Sequence, residues 1–233
     1  MLRAKAKFLA STDTHGQFAG IAIVVDVVNA INKTAPARML MKSALGVAEK
    51  AWMPSLANER FRWGKAMSGA ATVVTNGERT PGKVAAFATC RVNCNEPGIG
   101  NDLLRLLEHN NIPYAIVDKE KCCGIPKLEL GDLPAVERNK NANIPVLARY
   151  ARKGFAILSA IPGCTLMFKQ ELPLMLPDET DVQRVKKTMF DPFEYLIARH
   201  KDGLLRLDFT TALGQRELSH PVPWPLARHW QED

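Results

Sequence analysis

The sequence predicts an α/β protein built on a parallel β-sheet that carries helices on both faces. Three short apolar runs predict its strands, at residues 83–89, 114–118 and 155–161. Helix-like segments separate them, and this alternation is typical of a parallel sheet. Hydrophobic residues make up 46% and charged residues 24% of the 233 positions, an ordinary globular mixture. We therefore predict a three-layer domain with a helical N-terminal arm and an irregular C-terminal tail.

The N-terminal arm is predicted from the pattern of the first 80 residues. Apolar side chains recur at helical spacing through residues 18–32, and a second helix is expected in residues 36–47, where Pro36 stands at an early helical position and Gly46 at the stop. Residues 52–82 are irregular and rich in Gly, Ser, Thr and Asn, and "PSLANERFRWGK" within them resembles an exposed connector. We place a domain boundary near residue 80, which gives an arm or linker at 1–80.

The predicted α/β domain covers residues 81–213. After the first strand, "GNDLLRLLEHNN" indicates a helix, and after the second strand residues 131–154 are mostly helical with an interruption expected at Pro145. The third strand leads into another helix-like stretch, "TLMFKQELPLML". Residues 214–233 form a tail rich in Pro, Trp and His that predicts neither strand nor helix.

The charge and hydropathy of the chain argue against nucleic-acid binding and against a membrane-spanning helix. The formal net charge is +7, but Lys and Arg are spread along the chain without a basic run that carries interleaved aromatics, so the sequence argues against nucleic-acid binding. The most apolar stretch, residues 18–28, is shorter than a membrane span and contains Asp26. We expect a cytoplasmic protein, in which clustered cysteines are better explained by metal or redox chemistry than by disulfides.

The five cysteines follow the predicted strands. Cys90 comes directly after the first strand, Cys122 and Cys123 after the second, and Cys164 after the third. Because the carboxyl ends of parallel strands share one edge of a sheet, we expect these four thiols to meet there. Cys94 lies four positions beyond Cys90 and is a candidate to join them.

Three interpretations of the thiols stand side by side. Thiolates are soft ligands that bind zinc ions and iron–sulfur clusters. Four thiolates complete the ligand set of either a tetrahedral zinc site or a cluster. Adjacent cysteines suit two atoms of one polynuclear cluster better than a single tetrahedral zinc, for which C-x-x-C is usual. The pair could instead form a vicinal disulfide or redox couple, or the cysteines could be buried small hydrophobes.

The segments "ATCRVNCNEPGIGNDLLRLLEHNNI", "DKEKCCGIP" and "PGCTLMFKQELPLML" together resemble one copy of the cysteine-rich CCG domain. That family includes one of the subunits of heterodisulfide reductase and one of the subunits of anaerobic glycerol-3-phosphate dehydrogenase. Its pattern is Cys, a gap in the thirties, Cys-Cys-Gly, a second gap, and C-x-x-C. Here 31 residues, positions 91 to 121, separate Cys90 from Cys122, and Cys164 matches the last ligand. Ile161 stands at the first cysteine of the C-x-x-C.

Relatives generally carry two CCG copies, and this sequence contains one. We therefore expect a truncated relative whose reading frame shifts near Gly214. Sequencing the DNA beyond that point tests this, because the absence of a second cysteine set in every frame would remove the idea.

The resemblance implies an electron-transfer component of an oxidoreductase complex rather than a complete enzyme. Its cofactor would be an iron–sulfur cluster, with 4Fe-4S as the candidate type, and its ligands would be Cys90, Cys122, Cys123 and Cys164, with Cys94 as a possible fifth. Gly124 would permit a tight turn beside the metal and Pro126 would stiffen the loop. The implied partners are a flavoprotein dehydrogenase subunit and a ferredoxin-like or quinone-reducing protein, through which the chain could associate peripherally with the inner face of a membrane. The alternative is a zinc-binding or metal-free fragment without redox activity, acting at most as an interaction module.

Overall fold

A computed structural model describes residues 4–11, 14, 16–61 and 73–208. Within these residues the sheet has four strands, all parallel, in the order β2-β1-β3-β4. The strands are β1 Val84–Phe87, β2 Tyr114–Ile116, β3 Ala156–Ser159 and β4 Met189–Phe190. The three predicted strands are confirmed, and the α/β class with them. The two-residue β4 was missed because so short a strand has no apolar periodicity to detect.

Helices in the arm precede the sheet. They are α1 Ala4–Ala10, α2 Ala22–Ile31 and α3 Ala35–Leu45, with a 3₁₀ turn at Gly16–Phe18. The two helices predicted in residues 18–47 are confirmed. Gly46 has φ +76°, and its N–H bonds back to the carbonyl of Lys42, so a left-handed residue ends α3 as expected.

The remaining helices connect and follow the strands. They are α4 Thr89–Cys94, α5 Pro97–His109, α6 Ile125–Glu129, α7 Leu133–Arg152, α8 Pro162–Leu166, α9 Leu172–Met175, α10 Thr180–Thr188 and α11 Pro192–Lys201, with a π-helical turn at Met167–Glu171 between α8 and α9. No described helix combines the length and the apolar character that crossing a membrane requires.

The sheet is covered on both faces, as the three-layer prediction requires. Alternate strand residues point to opposite sides. Ala85, Phe87 and Ile157 belong to one buried cluster, with side chains of α7, the π turn and α10. Val84 and Ala86 belong to a second cluster, with side chains of α5 and α11. All four residues of β1 are buried, which explains why the strand is apolar throughout rather than alternating.

Helix α7 runs through Pro145 without a break, so the predicted interruption was wrong. Proline inside a helix removes one hydrogen bond and disturbs the preceding turn. The helix is held by burial on both sides of that position, because Ile144 and Leu147 pack into the core. At its start, the Asp132 side chain accepts a hydrogen bond from the N–H of Ala135.

The predicted connector at residues 54–65 is not simply exposed. Phe61 is 2% exposed and packs into the second core cluster, and residues 62–65 lie outside the described part. A Cβ at Gly100 of α5 would come within 2.6 Å of the Phe61 ring, so the glycine permits this close approach. The polar composition of this stretch gave no indication that Phe61 docks the arm on the domain. The predicted irregular tail at 214–233 also lies outside the described residues.

Candidate metal centre

The carboxyl edge of the sheet gathers four cysteines from three separate segments. Cys90 lies in α4 after β1, Cys122 and Cys123 lie in the loop after β2, and Cys164 lies in α8 after β3. Since β1 is hydrogen-bonded to both β2 and β3, the segments that follow these strands emerge next to one another.

The sulfur atoms of these four residues form a continuous chain of contacts. Cys122 is hydrogen-bonded to both Cys90 and Cys123, and the Sγ atoms of Cys123 and Cys164 lie 3.1 Å apart. Cys122, Cys123 and Cys164 are buried, whereas Cys90 is partly exposed, and none is in a disulfide. Residues up to 74 positions apart, from 90 to 164, therefore meet in one small volume.

The sulfurs of Cys90, Cys122, Cys123 and Cys164 follow one another in a row and do not enclose a central point. We call this row the sulfur string. Among the described residues, no group of three or more His, Cys, Asp or Glu side chains surrounds a common point as metal ligands do. The donor chemistry nonetheless fits a thiolate-bound cluster, because four soft sulfur donors share one largely buried edge. The ligands of a polynuclear cluster are spread over several metal atoms, whereas the ligands of a zinc ion surround one point. A row of sulfurs therefore fits a cluster better than it fits a single zinc ion.

The charge is distributed unevenly along the string. Hydrogen bonds from Cys123 and Cys90 lower the pKa of Cys122 to about 2, against the opposing effect of burial. The charge of Lys127 and the N–H of Gly124 act in the same direction. The bond to Cys122, the contact with Cys164 and burial all raise the pKa of Cys123. These contacts thus favour the thiolate form at Cys122 and the thiol form at Cys123.

Cys94 occupies a separate environment one turn along α4. Its buried thiol faces Gly16 of the arm, where an added Cβ would come within 2.7 Å of the Cys94 sulfur. Burial raises its pKa, with Arg60 opposing and Glu120 adding to that effect. The carbonyl of Cys94 accepts a hydrogen bond from the N–H of Ala57, so this residue joins arm to domain.

The loop after Cys123 turns where the sequence predicted it would. Gly124 has φ +104°, a region that L side chains rarely adopt, and it caps α6. Pro126 takes the second position of that helix, where its missing N–H has no cost. Lys127 is buried, and its Nζ donates to the carbonyl of Ala10 at the end of α1. The arm and the thiol loop therefore share one buried ammonium group.

Sequence reasoning missed Asn143, which fixes the cysteine loop from α7. Its Oδ1 accepts from the N–H of Lys121, and its Nδ2 donates to the carbonyls of Lys121 and Cys122. Asn143 is 1% exposed. The available signal was an amide on the apolar face of a predicted helix, between Val136 and Leu147 at helical spacing.

Glu120 was also missed, and it connects two cysteine-bearing segments. Its Oε2 accepts a hydrogen bond from the N–H of Ala88, two residues before Cys90. The β2 loop is thereby tied to the start of α4. A carboxylate in a charged stretch such as "DKEK" carries no sequence signal for this contact.

Part of the chain is similar in sequence to two curated proteins. The chain is 26% identical over 152 residues to the C subunit of anaerobic glycerol-3-phosphate dehydrogenase from Escherichia coli (strain K12), an alignment that covers 64% of this chain and 37% of the relative. It is 29% identical over 98 residues to the B subunit of fumarate reductase (CoM/CoB) from Methanothermobacter marburgensis, covering 42% of this chain and 19% of the relative. The chain thus aligns with well under half of either relative's length, and no solved structure matches it.

Both relatives are, by name, subunits of oxidoreductases. The family model for the CCG cysteine-rich domain matches residues 84–169, a range that begins with β1 and contains all five cysteines and the start of the π turn after Cys164. Residues 84–169 of this chain are therefore a cysteine-rich domain of the CCG family.

Proposed function

We propose that the chain is an iron–sulfur electron-transfer subunit of an oxidoreductase complex. The observation that carries the proposal is the convergence of four cysteine sulfurs, from three strand ends, in one contact chain. The ligands in this proposal are Cys90, Cys122, Cys123 and Cys164. Cys94 stays outside the ligand set because its sulfur lies in a different contact, against the arm.

A bound cluster would supply one-electron transfer, and residues of the chain would hold the cluster and shield it from water. Three of the four thiols are buried, so the protein excludes water from most of the site. The Gly124 N–H and the Lys127 ammonium stabilise negative charge on the Cys122 sulfur. Donors of this kind tune the potential of a cluster. Asn143 and Glu120 hold the two loops in register from outside the sulfur string.

The substrate chemistry would belong to other subunits. The names of the relatives place them in a dehydrogenase and a reductase, which supports a role inside a larger complex. We propose a flavoprotein dehydrogenase subunit as electron donor and a ferredoxin-like or quinone-reducing protein as acceptor. In this arrangement the chain is a cytoplasmic relay that reaches a membrane through its partner.

Anaerobic purification followed by reconstitution with iron and sulfide tests the proposal. We expect a brown protein with broad visible absorption, stoichiometric iron and acid-labile sulfide, and a paramagnetic signal in one redox state. Replacing any of the four ligand cysteines with serine should remove or alter that signal. Cys94→Ser is the matched control, since Cys94 is also a cysteine of α4 and is buried.

Two outcomes would overturn the proposal. A colourless protein that holds one zinc ion per chain, or no metal at all after reconstitution, would rule out the cluster. Loss of the cluster in Cys94→Ser with retention in Cys164→Ser would show that the ligand set is wrong, even if a cluster is present.

A further inference from the structure

A cavity of about 320 Å³ lies in the arm, and none of the described residues that line it is a cysteine. It is formed between the α2–α3 turn and the segment 50–55 that follows α3. Its volume is at the lower end of the range for small-molecule sites. Nothing in the iron–sulfur proposal uses it.

The lining of this cavity is strongly basic. Three of its side chains are cationic, Lys33, Arg38 and Lys50, and no Asp or Glu is among the described residues that line it. Neither Lys33 nor Lys50 has an ion-pair partner in the described part of the chain, whereas Lys42 of α3 is paired with Glu49. The cavity therefore presents three positive charges that no lining carboxylate neutralises.

The wall opposite the helices is held in place rather than loose. Arg38 Nη1 donates to the carbonyl of Ala51 at 2.8 Å. Asn29 makes two bonds of 2.9 Å to the backbone of Leu56, one as donor and one as acceptor. Asn95, which follows α4, donates to the carbonyl of Ser55 at 2.8 Å. A preformed wall lowers the ordering cost of binding.

One side of the cavity is apolar. Trp52 is 68% exposed and lines it, and the Arg91 guanidinium lies 5.2 Å from the centre of the Trp52 ring. That contact steadies the indole, while its exposed surface is available to a flat group. A planar guanidinium such as Arg38 matches the oxygens of a phosphate in a bidentate manner, and two lysines supply further charge.

We infer that this cavity is a binding site for a phosphate monoester that carries a flat apolar group. Three cations match a dianionic phosphate better than a singly charged carboxylate. Lys33, Arg38 and Lys50 bind the phosphate, and Trp52 stacks on the apolar part. The site is independent of the metal centre, so the two proposals stand or fall separately.

Calorimetric titration of the full chain with 1-naphthyl phosphate, inorganic phosphate and 1-naphthol tests the site. We expect 1-naphthyl phosphate to bind more tightly than either fragment. Lys33→Gln and Lys50→Gln should each raise its Kd about fivefold, the effect of one solvent-exposed ion pair. Lys42→Gln is the matched control, because it removes a lysine of the same arm that does not line the cavity, and it should leave Kd unchanged.

Trp52→Ala should bring the affinity for 1-naphthyl phosphate down to that for inorganic phosphate, while Trp52→Phe should retain most of it. Circular dichroism checks that each variant remains folded. The inference fails if Lys42→Gln weakens binding as much as Lys33→Gln, or if Trp52→Ala has no effect on the naphthyl ester.

A second arm of the experiment separates a soluble phosphate ester from a lipid headgroup. Sedimentation with phosphatidylcholine vesicles, with and without phosphatidate, is measured for the wild type and the two lysine variants. Binding to phosphatidate vesicles but not to 1-naphthyl phosphate, lost in both variants, would assign the phosphate to a lipid headgroup and overturn the flat apolar group of the inference. Absence of binding to 1-naphthyl phosphate and to phosphatidate would refute the site.

Discussion

Replacing Asn143 with alanine tests whether α7 fixes the cysteine loop. The amide makes three hydrogen bonds to that loop, of 2.8, 3.3 and 3.0 Å. Lys121 is exposed, so water can replace the two bonds to its backbone, and we assign them about 0.5 kcal/mol each. The bond to the buried Cys122 carbonyl contributes about 1–2 kcal/mol. The free energy of unfolding should therefore fall by about 2–3 kcal/mol.

The assay is urea unfolding followed by circular dichroism, together with iron content after reconstitution. Asn139→Ala is the matched control, since Asn139 lies one turn earlier on α7 and its Nδ2 has no hydrogen-bond partner among the described residues. Its substitution should change stability by less than about 0.5 kcal/mol. Asn143→Asp keeps the acceptor for the Lys121 N–H but removes the donor to Cys122, so it should not restore stability.

Equal urea midpoints for Asn143→Ala and Asn139→Ala would refute this reasoning. They would mean that the amide contacts contribute nothing to holding the loop. If Asn143→Ala retains wild-type stability but loses iron, the role of the side chain is limited to the metal-bound state.

Three further substitutions test other parts of the structure. Gly124→Ala places a side chain at φ +104° and should lower the free energy of unfolding, measured by urea unfolding, by about 1–2 kcal/mol. An unchanged urea midpoint would contradict the turn geometry. Partial burial raises the pKa of Asp118, but the charge and hydrogen bond of Arg149, a backbone N–H bond and the Tyr150 hydroxyl together outweigh it, and the net shift is downward. Asp118→Asn should thus lower the free energy of unfolding by about 0.5 kcal/mol at pH 7. This difference between variant and wild type should shrink as the pH falls below about 3.9 and disappear below the native pKa of Asp118. A difference that grows as the pH falls would contradict the prediction. Tyr195→Phe removes the 2.7 Å bond from a buried hydroxyl to the Pro81 carbonyl. It should lower the free energy of unfolding by about 1 kcal/mol, measured by thermal unfolding, whereas no change would show that the bond does not hold the entry to β1.

The sequence was sufficient to predict β1, β2 and β3 because strand signals are local. Each of the three predicted strands is an apolar run bounded by helix-like segments, and a parallel sheet needs buried strands of that kind. The positions of the cysteines just after the strands then predicted that they meet, since parallel strands share a carboxyl edge.

Contacts that depend on distant segments could not be predicted in the same way. The continuity of α7 through Pro145 depends on its burial against the sheet, not on local propensity. The docking of Phe61 depends on the space left by Gly100, and the Glu120 bond depends on the neighbouring strand end. Such contacts follow from packing, which joins residues without any fixed spacing along the chain.

Local spacing along the chain was enough to predict the fold class, the CCG resemblance and the four cysteines that follow the strands. The folded structure was needed to show which sulfurs touch, that Cys94 faces the arm, and that an amide of α7 holds the loop. A hydrogen bond or a sulfur contact requires a few ångströms of three-dimensional proximity, and spacing along the chain does not set that distance.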